Sequence, residues 1–228
     1  MPPRPAASPL LSLHDVSLAH DDDSPPILTA VTLTLFPGMR LLLRGPTAAG
    51  KSTLLAALAG RIPPRHGSRA AARGLQLLWS PHEGPDRPSA RDDESAVAFL
   101  RRLGEGCGEA AALGALSAAG LDQWAARRAW AALSAGERSL AALAAAPSEL
   151  LLLDEPALGL GREEARAAAA VLAPEAWEGT LVCASGHEEF CRALRPTHVA
   201  WVEGGGVRLV ECGASAGGEE SDFGDGAS

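Results

Sequence analysis

Apolar and polar side chains alternate over residues 10–20 (LLSLHDVSLAH) and again over 28–36 (LTAVTLTLF). A period of two sends successive side chains to opposite faces, so both stretches are predicted to be half-exposed strands. The polar run Asp21-Asp22-Asp23-Ser24-Pro25-Pro26 between them reads as a turn or loop. After Pro37-Gly38 the pattern changes. Leu41, Leu42 and Leu43 follow one another without a polar break, as do 150–153 (LLLL) and 181–184 (LVCA), while 75–79 (LQLLW) and 180–184 read as further short strands. Short uninterrupted runs suit strands of a core. Residues 199–203 and 207–211 flank Gly204-Gly205-Gly206 as a hairpin. Helical spacing takes over at 52–60, where Leu54, Leu55 and Leu58 share a face ahead of Gly60. From 94 to about 132 the chain is rich in alanine with leucine at helical intervals, predicting helices near 94–103, 108–120 and 122–129. Further helices are predicted over 134–146 and 163–172. The polar segments 63–74 and 84–91 read as a flexible stretch and a hinge.

These elements describe an α/β fold: an antiparallel β element leads into a parallel nucleotide-binding core, with an α-helical subdomain at about 84–148 inserted in it. The expected domain covers 10–212, between a flexible leader (1–9) and a disordered tail (213–228) of glycine, serine and acid with Phe223 its one large apolar residue.

Composition narrows the function. With 228 residues and 46% hydrophobic side chains, one substantial domain with a full core is affordable in length. No apolar stretch approaches the roughly 18–20 residues of a membrane-crossing helix, so no direct membrane insertion is expected. The 20 basic and 28 acidic residues leave a net charge of −8, which argues against a nucleic-acid partner. Cys107, Cys183, Cys191 and Cys212 form no metal-ligand spacing with the six histidines and read as free thiols in a reducing compartment. The proline-rich start lacks the apolar centre of a secretory signal.

The chemistry begins at residues 45–53, GPTAAGKST. Gly45, Pro46, Thr47, Ala48, Ala49, Gly50, Lys51, Ser52 and Thr53 fit the phosphate-cradling pattern, with a strand before and a helix after. Loop amides and a helix N-terminus supply converging donors and a favourable dipole for phosphate. Lys51 is placed to reach the β- and γ-phosphates of ATP, and the Ser52 hydroxyl to ligate Mg2+. The second element is the apolar run that ends in Asp154-Glu155. Asp154 would hold the magnesium, directly or through water, and Glu155 would orient and polarise the attacking water.

The third element is Leu133-Ser134-Ala135-Gly136-Glu137. Ser134 and Glu137 have the spacing of a capping box, and a capped helix start is also an anion site. LSAGE resembles the signature of ABC-type ATPases, whose commonest form is LSGGQ. The order of phosphate loop, helical insert, signature, Asp-Glu strand and histidine covers roughly 10–212. The resemblance implies ATP hydrolysis between two cassettes joined head to tail. Ser134, Ala135, Gly136 and Glu137 would then bind the ATP of a second ABC ATPase subunit. His187 sits where that family keeps its γ-phosphate-sensing histidine.

Three positions depart from the family pattern. Where a magnesium-contacting glutamine is usual, the chain offers His82, with Gln76 inside the preceding strand. Gly161 stands where an aspartate normally ends the turn after the Asp-Glu strand, which bears on the rate of hydrolysis. His20 is the nearest stand-in for the aromatic adenine platform. LSAG, the histidine in place of glutamine and the compact insert are similar to the ATP-binding subunit of the haem exporter in cytochrome c maturation. That likeness implies integral membrane permease subunits and a second ATPase subunit, a homodimer or a pairing with a relative. It implies a place on the inner face of a membrane, whether in bacterial cytoplasm, mitochondrial matrix or plastid stroma. Another ABC exporter ATPase and a nucleotide-binding scaffold with little hydrolysis are the alternatives.

Overall fold

The computed structural model describes residues 8–19, 24–80, 91, 93–103, 108–144 and 149–212. Strands β1 (Leu11–Leu18) and β2 (Leu28–Leu35) form where period-two alternation predicts them. They pair antiparallel with Leu11 opposite Leu35, Leu13 opposite Leu33 and Leu18 opposite Leu28. Asp15 and Ala30 take positive φ at register shifts, the mark of bulges that interrupt this ladder. The chain continues through β3 (Arg40–Arg44) and α1 (Lys51–Leu58) into β4 (His66–Ala71). That last strand corrects the reading of 63–74 as a flexible stretch. β4 pairs antiparallel with β1, giving a three-stranded sheet in the order β2-β1-β4. It is an exposed edge whose side chains carry no apolar alternation. Its ladder to β1 and the Arg69 guanidinium, which donates to the Leu58 carbonyl at 2.9 Å, hold it.

The remaining elements are β5 (Leu77–Ser80), α2 (Ala96–Leu103), α3 (Glu109–Ala118), α4 (Gln123–Arg127), a 3-10 turn (Trp130–Ala132), α5 (Ala135–Ala144), β6 (Leu150–Asp154), α6 (Arg162–Ala170), β7 (Thr180–Ala184), α7 (Glu188–Ala193), β8 (His198–Glu203) and β9 (Gly206–Glu211). The second sheet runs β5-β6-β7-β3-β8-β9, parallel throughout except for the hairpin strand β9. β6 and β7 are buried on both faces, which is why their sequences show no alternation. On one face Leu150, Leu152 and Val182 pack with Leu54, Leu55 and Leu58 of α1 and the inward leucines of β1 and β2. On the other, Leu151, Leu153 and Leu181 meet Ala165, Ala168 and Ala169 of α6 and Phe190 of α7. The alanines let α6 lie close against the sheet. Each leucine buried this fully contributes on the order of 2 kcal/mol.

A third apolar cluster belongs to α2–α5. Phe99, Leu116, Leu121 and Trp130 fill it, and the Phe99 and Trp130 rings lie 4.8 Å apart. The short helix α7 carries no apolar periodicity that would mark it in the sequence; the chain forms it soon after β7 around buried Phe190 and Cys191. Among the described residues, no helix is long and apolar enough to cross a membrane.

Candidate nucleotide site

Strand order decides which loops meet. β7 lies between β6 and β3, and all three run the same way, so their C-terminal ends open onto one edge of the sheet. Parallel sheets bind ligands at that edge, at the point where chain order reverses. Three of the predicted segments emerge there: the 45–50 loop after β3, Asp154-Glu155 at the end of β6, and Ser185-Gly186-His187 after β7.

The 45–50 loop is built from backbone of alternating hand. Gly45, Ala48 and Gly50 have φ of +142°, +63° and +103°. Successive amides in such a loop turn toward a common concavity suited to an anion. A Cβ on Gly45 would lie 2.1 Å from the Val202 carbonyl oxygen of β8, so only glycine fits. Gly50 is the N-cap of α1 and offers no side-chain cap, which leaves the helix's leading amides to the loop. The Lys51 ammonium donates to the carbonyls of Gly45 and Pro46, each at 2.8 Å, and so stands over the loop it would share with phosphate. Pro46, Thr47, Ala48 and Ser52 are exposed, whereas the Thr53 side chain is buried. Thr53 therefore has its backbone amide to offer.

Asp154 is the last residue of β6, paired with Ala184 and nearly buried. Glu155 takes a φ of +48°; its amide donates to the Ala184 carbonyl at 2.8 Å and its carboxylate accepts from the Gly186 amide at 3.0 Å. The strained backbone turns this carboxylate across to the exit of β7. His187 caps α7 there. Its Nδ1 accepts from the Phe190 amide at 3.4 Å, which leaves the proton on Nε2 to be donated to the Leu160 carbonyl at 3.2 Å. The histidine thus holds the turn between β6 and α6. Gly161 is the N-cap of α6, and Glu164 accepts from its amide at 2.9 Å.

Ser134 and Glu137 form the reciprocal box their spacing predicts. The Glu137 amide donates to the Ser134 hydroxyl at 3.2 Å, and the Ser134 amide to the Glu137 carboxylate at 2.7 Å. Ala135 and Gly136 make the first turn of α5. This box sits on the helical cluster and its bonds run within it, so the site edge is assembled from β3, β6 and β7 without it. Sequence reasoning missed Arg128, which is ion-paired with Glu137 from outside the motif.

His82 and His20 lie outside the described residues. Gln76 precedes β5 instead of lying inside it, and its carbonyl accepts from the Leu150 amide where β6 begins, at the opposite end of the sheet from the loop edge. It is removed as a candidate for the magnesium. Two buried thiols flank the site. Burial pushes the Cys183 thiol well up from its ordinary pKa, and pushes Cys191 up as well.

A model of the ABC transporter family matches residues 28–158. Among curated proteins, the chain is 31% identical over 189 residues to the probable ATP-binding protein YheS of Haemophilus influenzae, covering 81% of this chain and 29% of that one. It is 32% identical to the cytochrome c biogenesis ATP-binding export protein CcmA of Gluconobacter oxydans, covering 82% of this chain and 85% of that one. The chain spans less than a third of the length of YheS and of the similar Uup of Caulobacter vibrioides. Among solved structures, the ATP-binding cassette MJ0796 in a dimeric post-hydrolysis state with ADP and phosphate superimposes with a TM-score of 0.73 at 18% identity, over 88% of this chain and 98% of that one. At that identity the likeness establishes the fold.

Proposed function

From the premise that this chain belongs to the ABC transporter family, we propose that it binds ATP at residues 45–53 and hydrolyses it as the motor subunit of a membrane complex. One observation supports this most: β3, β7 and β6 stand side by side, so the phosphate loop, Gly186-His187 and Asp154-Glu155 share one edge. In this reading the loop amides and Lys51 bind the β- and γ-phosphates. Lys51 exchanges its two carbonyl partners for phosphate oxygens. Glu155, aimed by its bond from Gly186, orients water in line with the terminal phosphate, and His187 reports the γ-phosphate to the Leu160 turn. Fixed charge placed in advance carries most of phosphoryl-transfer catalysis.

The donor set fits Mg2+. Ser52 and Asp154 offer one hydroxyl and one carboxylate, hard oxygens of the kind this ion takes while keeping waters and phosphate oxygens for the rest. Among the described residues no group of three His, Cys, Asp or Glu side chains forms a metal cage. When bound, the ion would neutralise charge on the phosphates.

Ser134, Ala135, Gly136 and Glu137 face the ATP of a second ABC ATPase subunit, preferably another copy of this chain, and permease subunits anchor the pair at the inner face of a membrane. The 10–212 domain with its inserted helical part is the unit that does this. The narrower reading is the haem exporter of cytochrome c biogenesis. It is supported by CcmA relatives at 32% and 34% identity, one of them over most of its length. The zinc import ATP-binding protein ZnuC of Paracoccus denitrificans is also 32% identical, so the membrane partners decide the cargo. Purification of the chain from membranes identifies its multi-spanning partners. In parallel, Glu155→Gln is expected to lower turnover by about three orders of magnitude while ATP stays bound. Full hydrolysis by that variant refutes the role of Glu155.

A further inference from the structure

The signature of this chain carries a carboxylate, Glu137, at the position where its commonest form has a neutral glutamine. Glu137 also lines a cavity of about 320 Å3 with Asp122, Glu163 and Glu164. A polyphosphate brought to the start of α5 would meet the Glu137 carboxylate, which is bonded to the Ser134 amide there. Two of the neighbours are committed to backbone: Asp122 caps α4 at 2.8 Å from the Ala125 amide, and Glu164 accepts from Gly161 at 2.9 Å. The compensating charge comes from Arg128. Its guanidinium is ion-paired with one Glu137 oxygen while the other accepts from the Ser134 amide. Arg128 is fixed from two further sides, donating to the Ala132 carbonyl at 3.1 Å and lying 4.6 Å over the Trp124 ring. Trp124 is 72% exposed, an unusual place for tryptophan unless the ring serves a neighbour.

We infer that Arg128 is a positioning residue that neutralises Glu137 and so allows an acidic signature to meet the triphosphate held by a second copy of this chain. This rests on the reading that the signature binds the partner's ATP. The pair makes the signature's charge equivalent to the neutral form, with the capping box intact. Arg128 acts through Glu137 and touches no phosphate itself.

The test is ATP-driven pairing of the whole chain in a Glu155→Gln background, followed by analytical ultracentrifugation across an ATP titration. Arg128→Gln is expected to raise the half-maximal ATP concentration about ten- to thirtyfold, the effect of one uncompensated carboxylate about 8–12 Å from a phosphate charge at an effective dielectric near 20. Adding Glu137→Gln is expected to bring it back to within about threefold, and raising KCl from about 50 to about 500 mM to shrink the defect. Arg128→Lys keeps the charge but loses the fork and the stacking, and is expected to pair nearly as the parent does. A defect that neither Glu137→Gln nor lysine relieves makes Arg128 a structural strut and overturns the inference, as does an unchanged titration. Ser134→Arg separates the two levels. If it blocks pairing while the charge variants do nothing, the inference fails and the signature reading stands. If it too leaves pairing intact, or the parent never pairs, the signature reading itself fails.

Discussion

Gly45→Ala probes the phosphate loop with the smallest possible change. The new methyl carbon would be placed 2.1 Å from the Val202 carbonyl oxygen, in a residue whose φ is +142°. Carbon and carbonyl oxygen need about 3 Å or more, so the loop or β8 must yield by about 1 Å. β8 is clamped between β3 and β9 in the sheet, which leaves the loop to move. Overpacking of this kind costs about 1–3 kcal/mol and a non-glycine residue in sparsely populated backbone adds about 1–3 kcal/mol. A total near 3 kcal/mol lowers the melting temperature by about 6–12 °C in a chain of this size. A loop displaced by about 1 Å no longer converges its amides on phosphate, and misplacement on that scale costs about a hundredfold. Differential scanning fluorimetry and calorimetric titration with ATP read the two effects separately. A variant that melts within 1–2 °C of the parent (about the 0.5 kcal/mol of an ordinary surface change) and binds ATP within about twofold refutes the packing described for this loop.

Two further outcomes follow from buried groups outside the loop. Arg40 lies at the start of β3 with its Nε donating to the Leu194 carbonyl at 2.8 Å, a second nitrogen bonded to the Leu172 carbonyl, and burial holding its pKa below the ordinary arginine value. Arg40→Ala strands both carbonyls at the ends of α6 and α7 and is expected to destabilise the chain by about 2–4 kcal/mol in urea unfolding, with the slope unchanged. A loss below about 0.5 kcal/mol means those carbonyls find water. For the thiols, Cys212 is exposed while Cys183 and Cys191 are buried. In a Cys107→Ser background, one equivalent is expected to react with an aromatic disulfide reagent in the folded state and two more only on unfolding. Because the folded Cys183 pKa is raised, the native state keeps a proton that the unfolded chain releases. Its stabilising effect is complete below the unfolded thiol's pKa, about 8.5, and stability falls as pH rises past it. Fast labelling of all three, or stability flat to pH 10 (well beyond that pKa), contradicts their burial.

The parts legible in the sequence are those whose physics is local. The phosphate loop, the capping box of Ser134 and Glu137, and the uninterrupted strand 150–153 each declare themselves within a few residues. β4 was not legible because its exposed strand, HGSRAA, is held by a backbone ladder and one arginine that leave no hydrophobic trace. α7 was not legible because six residues carry less than two turns of pattern. The site's assembly depends on strand order, which places β7 between β6 and β3. No single segment encodes that. The bonds from Gly186 to Glu155 and from His187 to Leu160 join residues 31 and 27 positions apart, so their roles emerge only once the strands are side by side. Arg128 reaches Glu137 across the start of the helix, outside the motif that drew attention to it.

The tip of the β8–β9 hairpin has a practical meaning for anyone modifying this chain. Val202 crowds Gly45 from the hairpin's first strand, and the Gly205 carbonyl accepts from the Thr29 amide at 2.8 Å, fastening the tip to the other sheet. A fluorophore or epitope inserted between residues 203 and 207 would pry that fastening open and wrench the nucleotide pocket with it. The turn at Gly74, open around that residue and joined by no such bond to the nucleotide pocket, is the kinder graft point, provided the glycine keeps its φ of +77°.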